Sequence, residues 1–419
     1  MDFKDILEQR KDEYLGYLKD LVSIDTQVIG HGILGGLEKE GQLYLEFLAN
    51  KIGANSIVKE NLDEDILIKA NEKYSEGNLG HNNRDRYNLL MSFNGKSDKT
   101  IIFNGHIDTM PPGDETLWSN KPHTPTVKDG KLYGLGVCDM KSGLMASILA
   151  VKLIKDVGEE LPVNVKIASV ANEEGGGNGS IVAAMNGLKG DCVIVCEPTT
   201  DNLYIAHMGF IFYEVTVKGK AIHSGSKEDG INAVDKAIKI INELYKMEER
   251  WQKDFTYSLL PKPSLNVGVI EGGVAASTTA ESCSFKVCIH YLPQIMSREM
   301  VVNDFENSIL EVSKKDEWLF ENPPYMNIYQ AGGSFEMEKD HRVVDVFKKS
   351  YNKITGKEVV VTGCPAGCDS RIWKNIANCP TIQFGPGRND QCHTIDEHID
   401  INQFYEAILI YADFILNFC

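Results

Sequence analysis

The chain repeatedly runs through a short apolar stretch and then stops at a histidine or a carboxylate. Thr100–Asn104 leads into Gly105-His106-Ile107-Asp108, and Val163–Val170 leads into Asn172-Glu173-Glu174-Gly175. Cys192–Cys196 ends at Glu197-Pro198, and Thr381–Phe384 precedes the loop that carries His393. Short runs without polar alternation are strands buried on both faces, as in a parallel sheet covered by helices. Helical patterns lie between them. Phe3, Ile6, Leu7, Tyr14, Leu15, Leu18, Leu21 and Val22 form one stripe over residues 3–22. Residues 41–52 repeat the pattern and stop at Gly53, a further helix follows Asp139, and a last one covers 402–417. This alternation predicts an α/β fold, a mostly parallel sheet with helices on both faces. Ligands of such a sheet collect at the carboxyl ends of its strands.

The texture changes near Phe210. Phe212–Val217 roughly alternates, as a half-exposed antiparallel strand does. An amphipathic helix at 231–248, strands near 264–269 and 283–290, and a helix at 298–313 follow. The α/β texture resumes near Val343. These patterns predict a main domain of residues 1–209 and 326–419, with an α+β sandwich inserted at 210–325. The acidic, Asn-rich stretch 59–86 is expected to hold one short strand with Ile66 and Ile68, and a loop.

Composition narrows the partners. The 419 residues are 42% hydrophobic and 25% charged, enough for a full core in two or three domains. The net charge of −17 argues against nucleic acid, whose phosphates require Lys and Arg. No run approaches the roughly 20 apolar residues that span a bilayer, and Met1-Asp2-Phe3-Lys4-Asp5 has no signal-peptide core. The expectation is a cytoplasmic protein with no membrane partner. Ten cysteines without a CxxC pair read as free packing residues, Cys364 and Cys368 included.

His106, Asp139, Glu173, Glu174, Glu197 and His393 suggest chemistry together more than singly. His106 and Asp108 point the same way on an extended strand. A metal-bound imidazole usually gives its other N–H to a carboxylate, so His106 reads as a ligand and Asp108 as the residue that orients it. Asp139 follows a glycine-rich turn, where a plain helix-capping role is the alternative. Glu173 and Glu174 would repel unless positive charge lay between them, which suits Glu174 as ligand and Glu173 as general base. Glu197 and His393 complete the set, although each alone is compatible with a surface role. Two divalent cations carry +4 against −3 from Asp139, Glu174 and Glu197, so the charges nearly cancel. Nitrogen and oxygen donors suit two Zn²⁺, with Co²⁺ or Mn²⁺ also accepted. Such a pair activates water for hydrolysis of amides.

These segments resemble the zinc-dependent aminoacylase and carboxypeptidase family that includes acetylornithine deacetylase and succinyl-diaminopimelate desuccinylase. The similar stretches are Asn104–Thr109, Tyr133–Gly143, Asn172–Gly175, Cys196–Thr199, Gly219–Gly225, and Phe384–Gly387 with His393 and Glu397. They are collinear with the family over nearly the whole chain. The resemblance implies Asp139 as a bridging ligand, His106 and Glu197 on one metal, and Glu174 and His393 on the other. It implies that the insert is a lid and homodimerisation domain, and that His223 reaches the partner subunit's site to stabilise an oxyanion. Ser277 and His290 stand where many relatives have Asn and Arg, and Met208 where many have Arg or Lys. Arg371 is expected to grip a substrate carboxylate, and Gly385 to lie beside the substrate. The implied activity is deacylation of a small N-acyl amino acid. Cleavage of a short peptide is the alternative, and an inactive binding protein a third reading.

Overall fold

The structure is a computed structural model that describes residues 2–419. The chain divides into two units. One comprises Met1–Ile205, Met337–Gly363 and Cys368–Cys419; the other comprises Ala206–Glu336 and Cys364–Gly367.

In the first unit the sheet runs, in spatial order, from the start of Leu203–His207 through Thr381–Gln383, Cys192–Val195, Thr100–His106, Asn164–Val170 and Tyr87–Phe93 to Ser56–Asn61. The four strands Thr381–Gln383, Cys192–Val195, Thr100–His106 and Asn164–Val170 are mutually parallel. The flanking strands are antiparallel, so the sheet is parallel at its centre and mixed overall. The parallel strands are buried on both faces, which explains their unbroken apolar runs. On one face Ile102, Ala168, Val193 and Val195 pack with Leu67, Ile181, Ile372 and Trp373 from three helices. On the other, Phe103 meets Tyr411 of the helix Ile401–Leu416, with ring centroids 5.0 Å apart. The helix Ser142–Val157 is buried on nearly every side, in keeping with a sequence that is apolar all round.

The stretch 59–86 folds differently from its sequence reading. Ile66 and Ile68 lie in a helix, Glu64–Tyr74, and the strand precedes them at Ser56–Asn61. Asp63 caps that helix by accepting the Asp65 N–H at 2.9 Å. Its buried residues are Leu67 and Ala70, three apart, so the helical period prevails over the Ile66/Ile68 alternation.

The second unit is a four-stranded antiparallel sheet in the order Ser264–Gly272, Ser282–Tyr291, Gly209–Lys218, Tyr325–Gly332. Two helices, Ala233–Asp254 and Arg298–Lys314, contribute Ala237, Ile240, Leu244, Val301 and Phe305 to one core with Ile211, Tyr213, Val215 and Val217. Tyr213 stacks on Phe305 at 4.1 Å. Tyr325–Gly332 pairs with Gly209–Lys218, so this unit runs to Glu336, past the boundary read at residue 325. No helix among the described residues is long and apolar enough to cross a membrane.

Candidate metal centre

The four parallel strands end on one side of the sheet, and their registers set how far each extends. His106 is paired with Val170, and Val195 with both Asn104 and Gln383. The residues that follow these ends are therefore delivered to one place. His106 closes its own strand. Glu173 and Glu174 sit on the turn after Val170, and Glu197 lies two residues beyond Val195. Asp139 arrives from Val137–Lys141, an irregular turn leading into Ser142–Val157.

The side chains meet at ligand distances. His106 Nε2 lies 3.0 Å from Asp139 Oδ1 and 3.7 Å from Glu197 Oε1. His393 Nε2 lies 3.3 Å from Asp139 Oδ2 and 3.1 Å from Glu174 Oε2. Asp139 thus turns one oxygen to each imidazole. Donor atoms of His106, Asp139 and Glu174 fall within 4.8 Å of one another, as do those of His106, Glu173 and Glu197.

The electrostatics of this cluster describe a site built for cations. Burial first, then the charges of Asp369 and Glu174, raise Glu173 well above the ordinary carboxyl range. Burial and Asp139 do the same to Glu197. Burial opposes protonation of His106, but Glu197 and Asp139 outweigh it and raise that imidazole. Hydrogen bonds to Asp139 and Glu174 push His393 up to about 11. Four carboxyl groups thus face two imidazoles, and the raised proton affinity on both sides marks a buried cluster short of positive charge. A bound metal cation would supply the missing positive charge, and the mixed nitrogen and oxygen donors fit one.

Backbone geometry fixes the parts. Gly176 and Gly177 adopt φ of 107° and 87°, which lets both N–H groups return to the Glu173 carbonyl at 2.6 and 2.9 Å. A Cβ on Gly143 or on Gly385 would overlap the Cys196 carbonyl oxygen, so glycines on two sides clamp the peptide before Glu197. That packing is what the structure shows for Gly385.

Two expected roles change. The Asp108 carboxylate does not hydrogen-bond His106; it accepts the N–H groups of Glu173 and Glu174 at 3.2 and 3.0 Å. The Asp108 backbone carbonyl faces His106 Nδ1 instead, at 2.8 Å, and fixes the ring. Arg371 is buried and faces inward. Its guanidinium donates to Glu76 Oε2 at 3.1 Å, the Cys368 carbonyl at 2.6 Å and the Gly176 carbonyl at 2.9 Å. It braces the glycine turn behind Glu173, where the sequence suggested a grip on substrate. Arg371→Met should therefore lower stability by about 3–5 kcal/mol, because the buried Glu76 carboxylate loses the guanidinium that neutralises it and the Cys368 and Gly176 carbonyls lose their donor. Thermal melts beside KM decide it: an unchanged melting temperature with a raised KM would return Arg371 to the substrate.

One contributor has no role in the sequence reading. Glu397 is buried and accepts the N–H groups of Gly136, Cys138 and Asp139 at 2.8, 2.7 and 3.0 Å. Burial pushes its carboxyl up to about 8 despite those bonds. It holds the turn that presents Asp139. No local signal reveals this, because its partners are backbone groups 258 to 261 residues earlier.

His223, Ser277 and His290 belong to the second unit. His223 is exposed, with Nδ1 accepting the Gly225 N–H at 3.1 Å. Ser277 is exposed, and its carbonyl accepts the Ser224 N–H at 2.7 Å. Burial lowers the His290 pKa, and its Nε2 lies 3.4 Å from Cys288 Sγ.

Residues 102–417 match the model of peptidase family M20/M25/M40. This chain belongs to that family. The N-formyl-4-amino-5-aminomethyl-2-methylpyrimidine deformylase of Halalkalibacterium halodurans is 29% identical over 437 aligned positions, 99% of this chain and 96% of the relative. The acetylornithine deacetylase of Photorhabdus laumondii is 30% identical, over 80% of this chain and 83% of the relative. Among solved structures, the di-peptidase Dug1p of Saccharomyces cerevisiae superposes with a TM-score of 0.78 at 16% identity, covering 99% of this chain and 97% of that one. Human carnosine dipeptidase 1 gives 0.74 at 16% identity, covering 99% and 98%. These M20 structures share the fold. The M20 family is metal-dependent and hydrolyses amide bonds, the enzyme class expected from the sequence.

Proposed function

We propose that this M20 protein hydrolyses the amide of a small N-acyl amino acid, releasing a carboxylate and an amine. One observation carries the reading: Asp139 divides its two oxygens between His106 and His393, each of which also meets a second carboxylate. That geometry supports Asp139 as a ligand shared between two cations. His106 and Glu197 would hold one zinc ion, Glu174 and His393 the other, and Asp139 both, with cobalt or manganese as substitutes. Bound there, the ions supply Lewis acidity that polarises the scissile carbonyl and acidifies water.

The chain's own residues do the rest. The Asp108 carbonyl orients His106 so that Nε2 faces the other donors. Glu173, whose proton affinity burial raises, accepts the proton of the attacking water and passes it to the leaving nitrogen. The deacylase reading draws support from the two relatives above, whose names both describe removal of a small acyl group.

The test is a substrate panel with metal analysis: N-formyl, N-acetyl and N-succinyl amino acids, N-formyl amines and dipeptides. Fastest turnover on a small-acyl amino acid is expected. A preference for dipeptides would install the peptidase alternative. A fully metallated protein that cleaves none would be a binding protein. We further propose that the second unit dimerises and that His223 donates to the oxyanion across subunits. His223→Ala should leave metal content intact and slow turnover by about 10²–10³. Mixing it with a Glu173 variant should restore activity; verified heterodimers that stay inactive would refute the trans arrangement.

A further inference from the structure

Three of the five expected ligands are each preceded by a cysteine: Cys138-Asp139, Cys196-Glu197 and Cys392-His393. Two of these pairs converge. His393 Nε2 lies 3.3 Å from Asp139 Oδ2, so the segments bearing Cys138 and Cys392 meet at one point. Cys138 Sγ faces the turn that leads to Cys392. It donates to the Arg388 carbonyl at 3.3 Å, and a Cβ on Gly387 would come within 2.6 Å of its sulfur. The turn Asn389–Gln391 ends at Cys392, whose N–H returns to the Asn389 carbonyl at 3.4 Å. The Cys138 and Cys392 thiols are in hydrogen-bond contact, and neither is in a disulfide. Cys138 is buried and Cys392 half-buried, so a small oxidant reaches Cys392 first.

We propose that Cys138 and Cys392 form a redox-active dithiol whose oxidation to a disulfide displaces Asp139 and His393. The oxidant class is a peroxide. The Cys392 sulfur attacks one peroxide oxygen, the O–O bond breaks, and the departing oxygen leaves as water with the thiol proton. The Cys392 sulfenic acid remains. The Cys138 sulfur then attacks the Cys392 sulfur, the S–O bond breaks, and a second water leaves with the Cys138 proton. The two thiols lose two electrons and the peroxide gains them. The sulfurs close to about 2.05 Å in a fixed torsion, which drags the residue after each cysteine.

The experiment treats metal-stripped and zinc-loaded protein with hydrogen peroxide, blocks free thiols, and maps peptides without reductant. A peptide joining the Cys138 and Cys392 segments is expected, cleaved by dithiothreitol. Zinc affinity should fall at least about tenfold in proportion to the link. Cys392→Ser should keep its zinc affinity and turnover under peroxide, and Cys138→Ala should lose the same cross-link. Absence of the linked peptide in the folded, oxidised protein overturns the proposal. So does a Cys392→Ser variant that loses zinc to peroxide as fast as the parent. The loss of zinc rests on the ligand set proposed above. The cross-link does not, so its absence would leave amide hydrolysis standing.

Discussion

Glu173→Gln should hold its metals like the parent and turn over about 10²–10⁴-fold more slowly, the range for loss of one general base. The substitution keeps the shape of the side chain and removes its proton affinity. The deficit belongs in kcat, with KM little changed, because the lost interaction is made in the transition state. Rates and metal content must be read on the same sample. The Glu173 carboxylate lies within 4.8 Å of donors on His106 and Glu197, so loss of metal together with rate would make it a ligand. Retained rate would remove it from the chemistry. A second readout concerns the metal-stripped protein. Glu173 is raised by burial and by Asp369, so its ionisation opposes folding above its ordinary value of 4.5. The stripped variant should melt higher than the stripped parent at neutral pH. That gap should close as pH falls below 4.5, where the unfolded carboxyl is protonated too.

Asp139→Asn should empty the site. The amide keeps the volume and loses the charge that the proposed function shares between two cations. Removing one partner from a buried ionic cluster costs about 3–5 kcal/mol, or about two to four decades of metal affinity. Turnover should vanish at limiting zinc and return in part at high zinc. Titration with a chelator of known affinity measures the shift. Parental affinity in the variant would mean that Asp139 serves the protein through its two histidine contacts alone.

The central strands were legible because each is a short apolar run, and a parallel sheet buried on both faces requires such runs. The same logic marked His106, Glu173, Glu174, Glu197 and His393 as residues placed where such strands end. Asp139 was legible from its glycine-rich turn. Three things were hidden, each for a physical reason. Ile66 and Ile68 alternate like a strand, yet a cap at Asp63 and burial of Leu67 and Ala70 make a helix. Arg371 looks like a free cation in sequence, and only the fold brings Glu76 and the Gly176 carbonyl to it. Asp108 sits two residues from His106, but the ring bonds its carbonyl while its carboxylate serves two distant amides. For Arg371 and Asp108, the deciding partner is a backbone group or a residue far away in the chain.

The Glu397 contacts set a timetable for synthesis. A nascent chain that has passed Asp139 still lacks the carboxylate that gathers the amides around it, and His393 as well. It also lacks Thr381–Gln383, which fills the gap between Cys192–Val195 and Leu203–His207 in the sheet. With the ligand set proposed above, synthesis must pass His393 and Glu397 before an ion can be captured. A chain cut before His393 should therefore lack the proposed metal site, however complete its earlier strands.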